Sequence, residues 1–367
     1  MMELILENVQ GIVVFAIFLG ILISVHEWGH FITAKKLGVQ VDEFALGFGP
    51  TLFSRPWNGT TYLIKLFPLG GYVRMAGDER DKCEGKPGEF YSKAIWQRSL
   101  IVLNGPVVNF VLAYVCLFVV FMLGYPESAP KIGELLEGYP AQEAGLMSGD
   151  RILEIDGAPI ESWSDIQLSV SGSENASLSL RVERNGQIET ITLVPRVEER
   201  KNVFGEAVKS KLIGIVPSEE IISLRYGPGK SLIKAGEKFW EFTVTTYRAI
   251  WAMVAGSMSA KENVGGPVFI FTVVKHAAEM GFSHFLFILG VISLNLAIFN
   301  LLPVIPLDGG HLMLFGIEKL RGRPLPPKVD AFITNLGVSM IVVLALFIFY
   351  VDFERVGLFE KIRNIFS

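Results

Sequence analysis

Four long apolar runs divide the chain. Val9–Val25 carries no charge and leads into His26, and Ser99–Gly124 carries none. Phe282–Ile305 has no ionisable group beyond His284, and Ala331–Val351 has none between Asp330 and Asp352. An α-helix needs about 20 apolar residues to cross a hydrocarbon core, so the pattern predicts four membrane-spanning helices. The first run is not read as a cleaved leader. It lacks a basic flank ahead of it and ends in polar residues rather than at a small-residue cleavage site.

The stretches between the runs have other periods. In Asp42–Met75, the segments Thr60–Phe67 and Tyr72–Met75 are β-prone, with Pro68-Leu69-Gly70-Gly71 read as the turn between them. They predict a small sheet on, or dipping into, the face of the membrane, buried by helices or lining a cavity because a lipid-exposed edge is costly. Pro130–Pro217 changes to short strands and turns. Lys131–Leu136 is strand-like, Pro140–Leu146 a short helix, Arg151–Ile155 a buried strand and Trp163–Ser171 a helix. Ala176–Arg184 and Gln187–Pro195 pair across Asn185-Gly186, a strong hairpin signal, and Leu212–Ile215 closes the unit. This run, with its Ala-Gly-Leu-x-x-Gly-Asp-x-Ile core at 144–152, resembles a circularly permuted bacterial PDZ domain. Pro228–Met258 repeats apolar residues at helical spacing among lysines and glutamates, as an amphipathic helix lying on a membrane surface or packed on the preceding unit would.

The expected fold is therefore a polytopic α-helical membrane protein with four transmembrane helices, a small membrane-associated β-sheet and an inserted α+β PDZ domain. Its divisions are a first helix (1–37), a cytoplasmic-side segment with the re-entrant sheet (38–98) and a second helix (99–125). The PDZ domain (126–218) and an amphipathic segment (219–281) follow, then the third helix with its following motif (282–334) and the fourth helix with the tail (335–367).

Composition agrees. Half of the 367 residues are hydrophobic, 19% are charged, and mean hydropathy is +0.43. Net charge is −4 with no basic block, so no nucleic-acid partner is expected. Ten Lys/Arg lie in Lys35–Arg98 and four between the third and fourth runs, against none before the first. The positive-inside rule then puts those two segments in the cytoplasm and both termini and the PDZ domain outside it. Cys83 and Cys116 fall in a cytoplasmic loop and a span, so no disulfide is expected.

The chemistry concentrates at the end of the first run. His26-Glu27-Trp28-Gly29-His30 is a His-Glu-x-x-His sequence. On a helix the two imidazoles share a face and can reach one metal ion, and Glu27 beside them can take a proton from water. A glutamate at membrane depth costs roughly 2.5–3.5 kcal/mol, so a functional role outweighs chance. At ~1.5 Å per residue His26 lies roughly 24 Å into the span, towards its cytoplasmic end. A catalytic zinc takes three protein ligands and keeps a fourth position open. Asp308 is the candidate third ligand: Pro303 and Pro306 break the helix and Gly309-Gly310 permit a tight turn that could aim it back. Its rival is His311; the bland alternative makes Asp308 a helix cap.

His-Glu-x-x-His in a first span, Asn-x-x-Pro-x-x-x-x-Asp-Gly at 300–309 and a PDZ unit between resemble the site-2 protease family of intramembrane zinc metalloproteases. Gly47–Pro50, Gly70–Val73, Asn104-Gly105-Pro106 with Asn109, and Gly265–Pro267 also match it. The RseP-like branch has tandem PDZ domains, whereas this chain has room for one. The resemblance implies one Zn²⁺ on His26, His30 and Asp308, with Glu27 as general base and acid. It implies that Asn300 holds the substrate backbone and that Gly70, Gly71, Tyr72 and Val73 form an edge to which substrate adds as a strand. The implied substrates are single-span membrane proteins, such as anti-sigma-factor-like regulators or signal-peptide remnants, in a bacterial inner membrane, with a peptide or C-terminus as a partner at the PDZ unit. A proteolytically silent PDZ scaffold and a metal transporter are the competing classes. The scaffold has no need of Glu27, and the transporter would show internal symmetry between halves.

Overall fold

The computed structural model describes residues 2–80, 83–202 and 204–355. Helix α1 (Met2–Lys36) leads into strands β1 (Val41–Trp57) and β2 (Thr60–Met75), then helix α2 (Ile95–Leu123). A run of short elements follows: β3 (Tyr125–Ser128), β4 (Ile132–Leu135), α3 (Pro140–Glu143), β5 (Arg151–Ile155), β6 (Ala158–Pro159) and α4 (Trp163–Gly172). Next come β7 (Leu178–Arg184), β8 (Gln187–Leu193), β9 (Arg196–Lys201), β10 (Ala207–Leu212), β11 (Ile215–Pro217) and β12 (Ile221–Leu224). The chain then runs through α5 (Pro228–Val254), α6 (Ala260–Asn263), α7 (Pro267–Met280), α8 (Phe282–Asn300), α9 (Asp308–Arg321) and α10 (Pro327–Arg355). Contacts divide it into two compact units. One holds Met1–Val119, Leu232–Tyr247 and Ala260–Ser367, the other Val120–Ser231 and Arg248–Ser259.

Among the described residues four helices are long and apolar enough to cross a membrane: Val9–Lys36, Ile95–Leu123, Phe282–Asn300 and Lys328–Arg355. The third is shorter than its apolar run. Helix α8 stops at Asn300, and Leu301–Leu307 is a chain of turns, because Pro303 and Pro306 have no amide to continue the helical ladder. Within the first unit, α1, α7, α8 and α2 share a core of Phe18, Leu22, Cys116, Val274 and Leu289. A second core of Ala34, Val41, Phe90, Ile101 and Phe315 joins the end of α1 to the sheet, α2 and α9.

The membrane-associated sheet is larger than the sequence suggests. Strand β2 is assigned from Thr60 to Met75, but the register reverses within it: 61–64 runs parallel to 43–46 and 71–74 runs antiparallel to it, so the chain turns back at the expected Pro/Gly segment. Another reversal falls at Asn58-Gly59, where both residues have positive φ (49° and 75°), a conformation that favours these residue types. Phe44 lies opposite both Val73 and Tyr62, and Leu46 opposite both Gly71 and Ile64. Segment 41–46 therefore sits between 71–75 and 61–64, leaving 71–75 at an edge of the sheet. The far end presents Leu52, Phe53, Trp57 and Phe67 outward, each more than half exposed.

In the second unit β6-β5-β7-β8 form one antiparallel sheet, and β11 pairs with β4. Strand β7 alternates buried and exposed residues along its length. Leu178, Leu180 and Val182 meet Ile152, Ile155, Trp163 and Ile166 in the core. The sequence pattern does not declare a strand at 125–128, yet β3 pairs with β12 from Tyr125↔Leu224 to Ser128↔Ile221. The β9–β10 hairpin was not foreseen either.

Candidate metal centre

Helical spacing puts His26 and His30 on one face of α1, with ring planes at 85° and Nε2 atoms 3.1 Å apart. Asp308, the first residue of α9, reaches them from the other end of the chain. Its Oδ2 lies 3.2 Å from His26 Nε2 and 3.6 Å from His30 Nε2. Its approach depends on the turns after α8, where Gly309 and Gly310 lie so close to the backbone of Leu301, Leu302 and Val304 that neither could carry a Cβ.

One ligand atom from each of His26, His30 and Asp308 falls within 4.8 Å of the other two, and among the described residues this is the group of three such side chains that could hold an ion. Both imidazoles are buried. Asp308 Oδ2 is also shielded from solvent and has no hydrogen-bond partner, an orphaned acceptor that a cation would satisfy. Two imidazole nitrogens and one carboxylate oxygen suit zinc with an open fourth position. His311 is not in the group. Burial holds its imidazole below the ordinary histidine range, against the opposing charge of Asp308. His276 is exposed beside Glu279, and neither it nor His284 joins the centre.

Helix α2 supplies the next layer. His30 Nδ1 lies 2.9 Å from the carbonyl of Ile101. A carbonyl only accepts, so the proton sits on Nδ1 and Nε2 is free to ligate. Asn104 Nδ2 donates to the Gly29 carbonyl at 2.9 Å and to Thr33 Oγ1 at 2.7 Å, tying α2 to the same turn of α1. A Cβ on Gly105 would collide with both histidine rings. Sequence reasoning gave these α2 residues no role, although asparagines inside an uncharged span are themselves a signal.

Glu27 stands on the side of α1 that faces β2. A Cβ on Gly71 would come within 3.4 Å of Glu27 Cγ and 2.8 Å of the Ala45 carbonyl, so glycine alone allows the strand to run this close. The Val73 amide is directed at the Glu27 carboxylate. Tyr72 turns its hydroxyl to Glu43 Oε2 at 2.6 Å, and Gly70 packs beneath the Phe48 ring. Asn300, the last residue of α8, has Nδ2 3.5 Å from His26 Nε2. The strand edge, the carboxylate and the ligands thus occupy one neighbourhood.

The chain matches the model of peptidase family M50 over residues 14–344. It is 29% identical to the regulator of sigma-E protease RseP of Escherichia coli K12, an alignment covering 93% of this chain and 98% of the relative. It is 28% identical to the zinc metalloprotease RasP of Oceanobacillus iheyensis, covering 95% and 99%. A relative in Clostridium acetobutylicum is 33% identical over 91% of this chain and 94% of its own length. With two histidines and an aspartate meeting at the end of a spanning helix, in a chain matched along nearly all its length, this multi-pass membrane protein belongs to peptidase family M50, the site-2 type of zinc metalloprotease.

Proposed function

We propose that His26, His30 and Asp308 hold one zinc ion and that Glu27 is the general base and acid for hydrolysis of a peptide bond within or near the transmembrane segment of a single-span protein. The observation that carries this reading is the meeting of three ligand atoms beside a glutamate and a free strand edge at the end of a spanning helix. Lewis acidity towards the scissile carbonyl and a water of lowered pKa are what zinc adds when bound. Glu27 takes a proton from the attacking water and returns it to the departing amide nitrogen. Asn300, at the rim, donates to the substrate backbone.

Substrate presentation falls to residues 70–73. A helix keeps its backbone hydrogen bonds to itself, so a scissile carbonyl becomes available only after local unwinding. The edge at Gly70, Gly71, Tyr72 and Val73 offers replacement partners by strand addition. Substrates accordingly carry a weak helix near the cytoplasmic side. Anti-sigma-factor-like regulators and signal-peptide remnants have this character, and the E. coli relative carries the name regulator of sigma-E protease.

In this reading the second unit is a single permuted PDZ domain outside the cytoplasm of a bacterial inner membrane, as are both termini. The alignment with the E. coli relative spans 444 positions against 367 residues here, so that relative has insertions this chain lacks. A groove of about 300 Å³ between α4 and the 210–215 segment, lined by Trp163, Ile166, Val170 and Ile213, would take a peptide or C-terminus.

The test is Glu27→Gln in purified full-length protein with a single-span reporter. Cleavage should fall by about 10²–10⁴-fold with zinc content unchanged. Wild-type cleavage by this variant would remove Glu27 from the chemistry; a wild-type protein that does not cleave at all would favour a silent scaffold.

A further inference from the structure

Each of the two histidines turns its second ring nitrogen towards α2, but only one has a fitting partner there. His30 Nδ1 faces the Ile101 carbonyl at 2.9 Å. His26 Nδ1 faces Asn109, whose amide nitrogen Nδ2 lies 3.4 Å away. Asn109 is completely buried, and its Oδ1 has no hydrogen-bond partner. With Nδ2 towards the ring, Nδ1 must accept and the His26 proton must move to Nε2. Nε2 is the atom 3.2 Å from Asp308 Oδ2, and it has to be bare to bind a metal. A buried oxygen is thus orphaned while a ligand nitrogen is protonated, and one change pairs the oxygen and frees the nitrogen, leaving the carboxamide Nδ2 as the unpaired atom. Half a turn of the carboxamide exchanges Nδ2 for Oδ1 with no change of shape. Oδ1 then accepts from His26 Nδ1–H.

The residue is well held for such a task. Ser293 Oγ on α8 donates to the Asn109 main-chain carbonyl at 2.8 Å, and Gly105, one turn earlier, lies against the histidine rings. No other polar contact of the Asn109 side chain is present among the described residues.

Resting on the zinc reading above, we infer that Asn109 is a positioning residue: its side-chain oxygen accepts the Nδ1 proton of His26 and holds that ring in the tautomer whose Nε2 can ligate zinc. Both imidazoles are then fixed by α2, one through a main-chain carbonyl and one through a carboxamide. Partners of this kind typically change metal affinity 10–100-fold when removed.

The experiment compares full-length wild type, Asn109→Leu and Asn109→Asp in detergent. It measures zinc affinity by chelator competition and the visible absorption of the cobalt(II)-loaded protein. Leucine fills the site but cannot accept, so affinity should fall 10–100-fold and the cobalt spectrum should change. Aspartate can only accept when ionised, so it should stay within a few-fold of wild type. The metal-free leucine variant should melt with the wild type, which separates loss of the acceptor from loss of packing. If it melts lower, the aspartate variant alone decides. Wild-type affinity and spectrum in Asn109→Leu would overturn the inference. So would an aspartate variant as weak as the leucine one. A wild-type protein that holds no zinc would instead reject the metal centre itself.

Discussion

Replacing Gly105 with alanine is the smallest change that reaches the metal centre. In an unconstrained helix alanine is favoured over glycine by about 0.8–1.0 kcal/mol. At this site the added methyl would fall on His30 Nε2 and Cε1 and lie 2.9 Å from His26 Cε1. The rings would have to retreat by about 1 Å to regain ordinary contact distances. Helix α1 cannot yield as a body. Gly29, on the same crossing, already lies against the Asn104 carbonyl with no room for a Cβ, and the Asn104 side chain ties the two helices together. Overpacking of this kind costs about 1–3 kcal/mol, which cancels or outweighs the gain in helix propensity. A net loss of about 0–2 kcal/mol in stability is therefore expected, while the ligands are displaced.

The effect on function should be larger than that on stability. A misplacement of about 1 Å in a catalytic constellation can lower rates by about 10²-fold, equivalent to about 2.7 kcal/mol of transition-state stabilisation. For Gly105→Ala we expect that loss in kcat/KM on a single-span reporter cleaved in detergent, with zinc held more weakly. Gly20→Ala is the matched control, because a Cβ there has nothing within 4 Å; it should cleave normally. If Gly105→Ala cleaved and bound zinc like the control, the close approach of α2 would have no part in setting the ligand positions.

Three further outcomes follow from other parts of the molecule. Val73→Pro removes the amide directed at Glu27 and a donor from the strand edge, so cleavage should fall at least about tenfold whereas Val73→Ile changes it little; equal activities would deny strand addition at this edge. Burial works against the Glu318 carboxylate, but hydrogen bonds from Arg98 and Arg80 outweigh it and hold its pKa below the ordinary range. A carboxyl depressed on folding contributes stability above its unfolded pKa of about 4.3 that is lost as pH falls through the folded value, so melting temperature should drop below about pH 4. Glu318→Gln should flatten that dependence and, by stranding the buried Arg98, cost about 3–5 kcal/mol at neutral pH; an unchanged profile would count against the cluster. Asp352 accepts the amides of Gly266, Val268 and Phe269 at 3.0, 2.9 and 3.3 Å, so Asp352→Ala should uncap α7 by about 1–2 kcal/mol and speed amide exchange at 266–269 before other segments; unchanged exchange there would refute the cap.

The spans and the two-histidine face were legible because both depend on local periodicity: a run without charge, and a spacing of four on a helix. The position of Asp308 could be expected from Pro303, Pro306, Gly309 and Gly310, since these residues dictate a break and a return whatever surrounds them. Strand β1 could not. Val41–Trp57 contains Gly47, Gly49, Pro50 and Pro56 and reads as a loop; it is a strand because β2 supplies partners along its length. The turn at Pro68–Gly71 was legible from its residue types, whereas the fit of Gly71 beside Glu27 was not. Hairpin β9–β10, rich in charge, has too little alternation to declare itself. Asn109 entered only through the family match. An amide in an apolar helix signals something buried and polar, but only the folded chain shows which group it meets.

The positions of glycine around the centre suggest why the site is built as it is. Lipid tails are as apolar as leucine, so a bilayer supplies little hydrophobic force to press helices together. Ligands drawn from α1 and from α9, 282 positions after His26, must be held by close contact and hydrogen bonds instead. Gly29 and Gly105 let α1 and α2 approach until the Ile101 carbonyl reaches His30. Gly309 and Gly310 let α9 start against the turns that follow α8, and Gly71 lets β2 run beside Glu27. In many membrane proteins small residues serve to join helices. Around this centre they also leave the volume that two imidazoles and a carboxylate require. Substitutions at Gly29, Gly71 or Gly309 should therefore impair metal binding and cleavage out of proportion to any loss of stability, whereas glycines with open space around them, such as Gly20, should tolerate a methyl group.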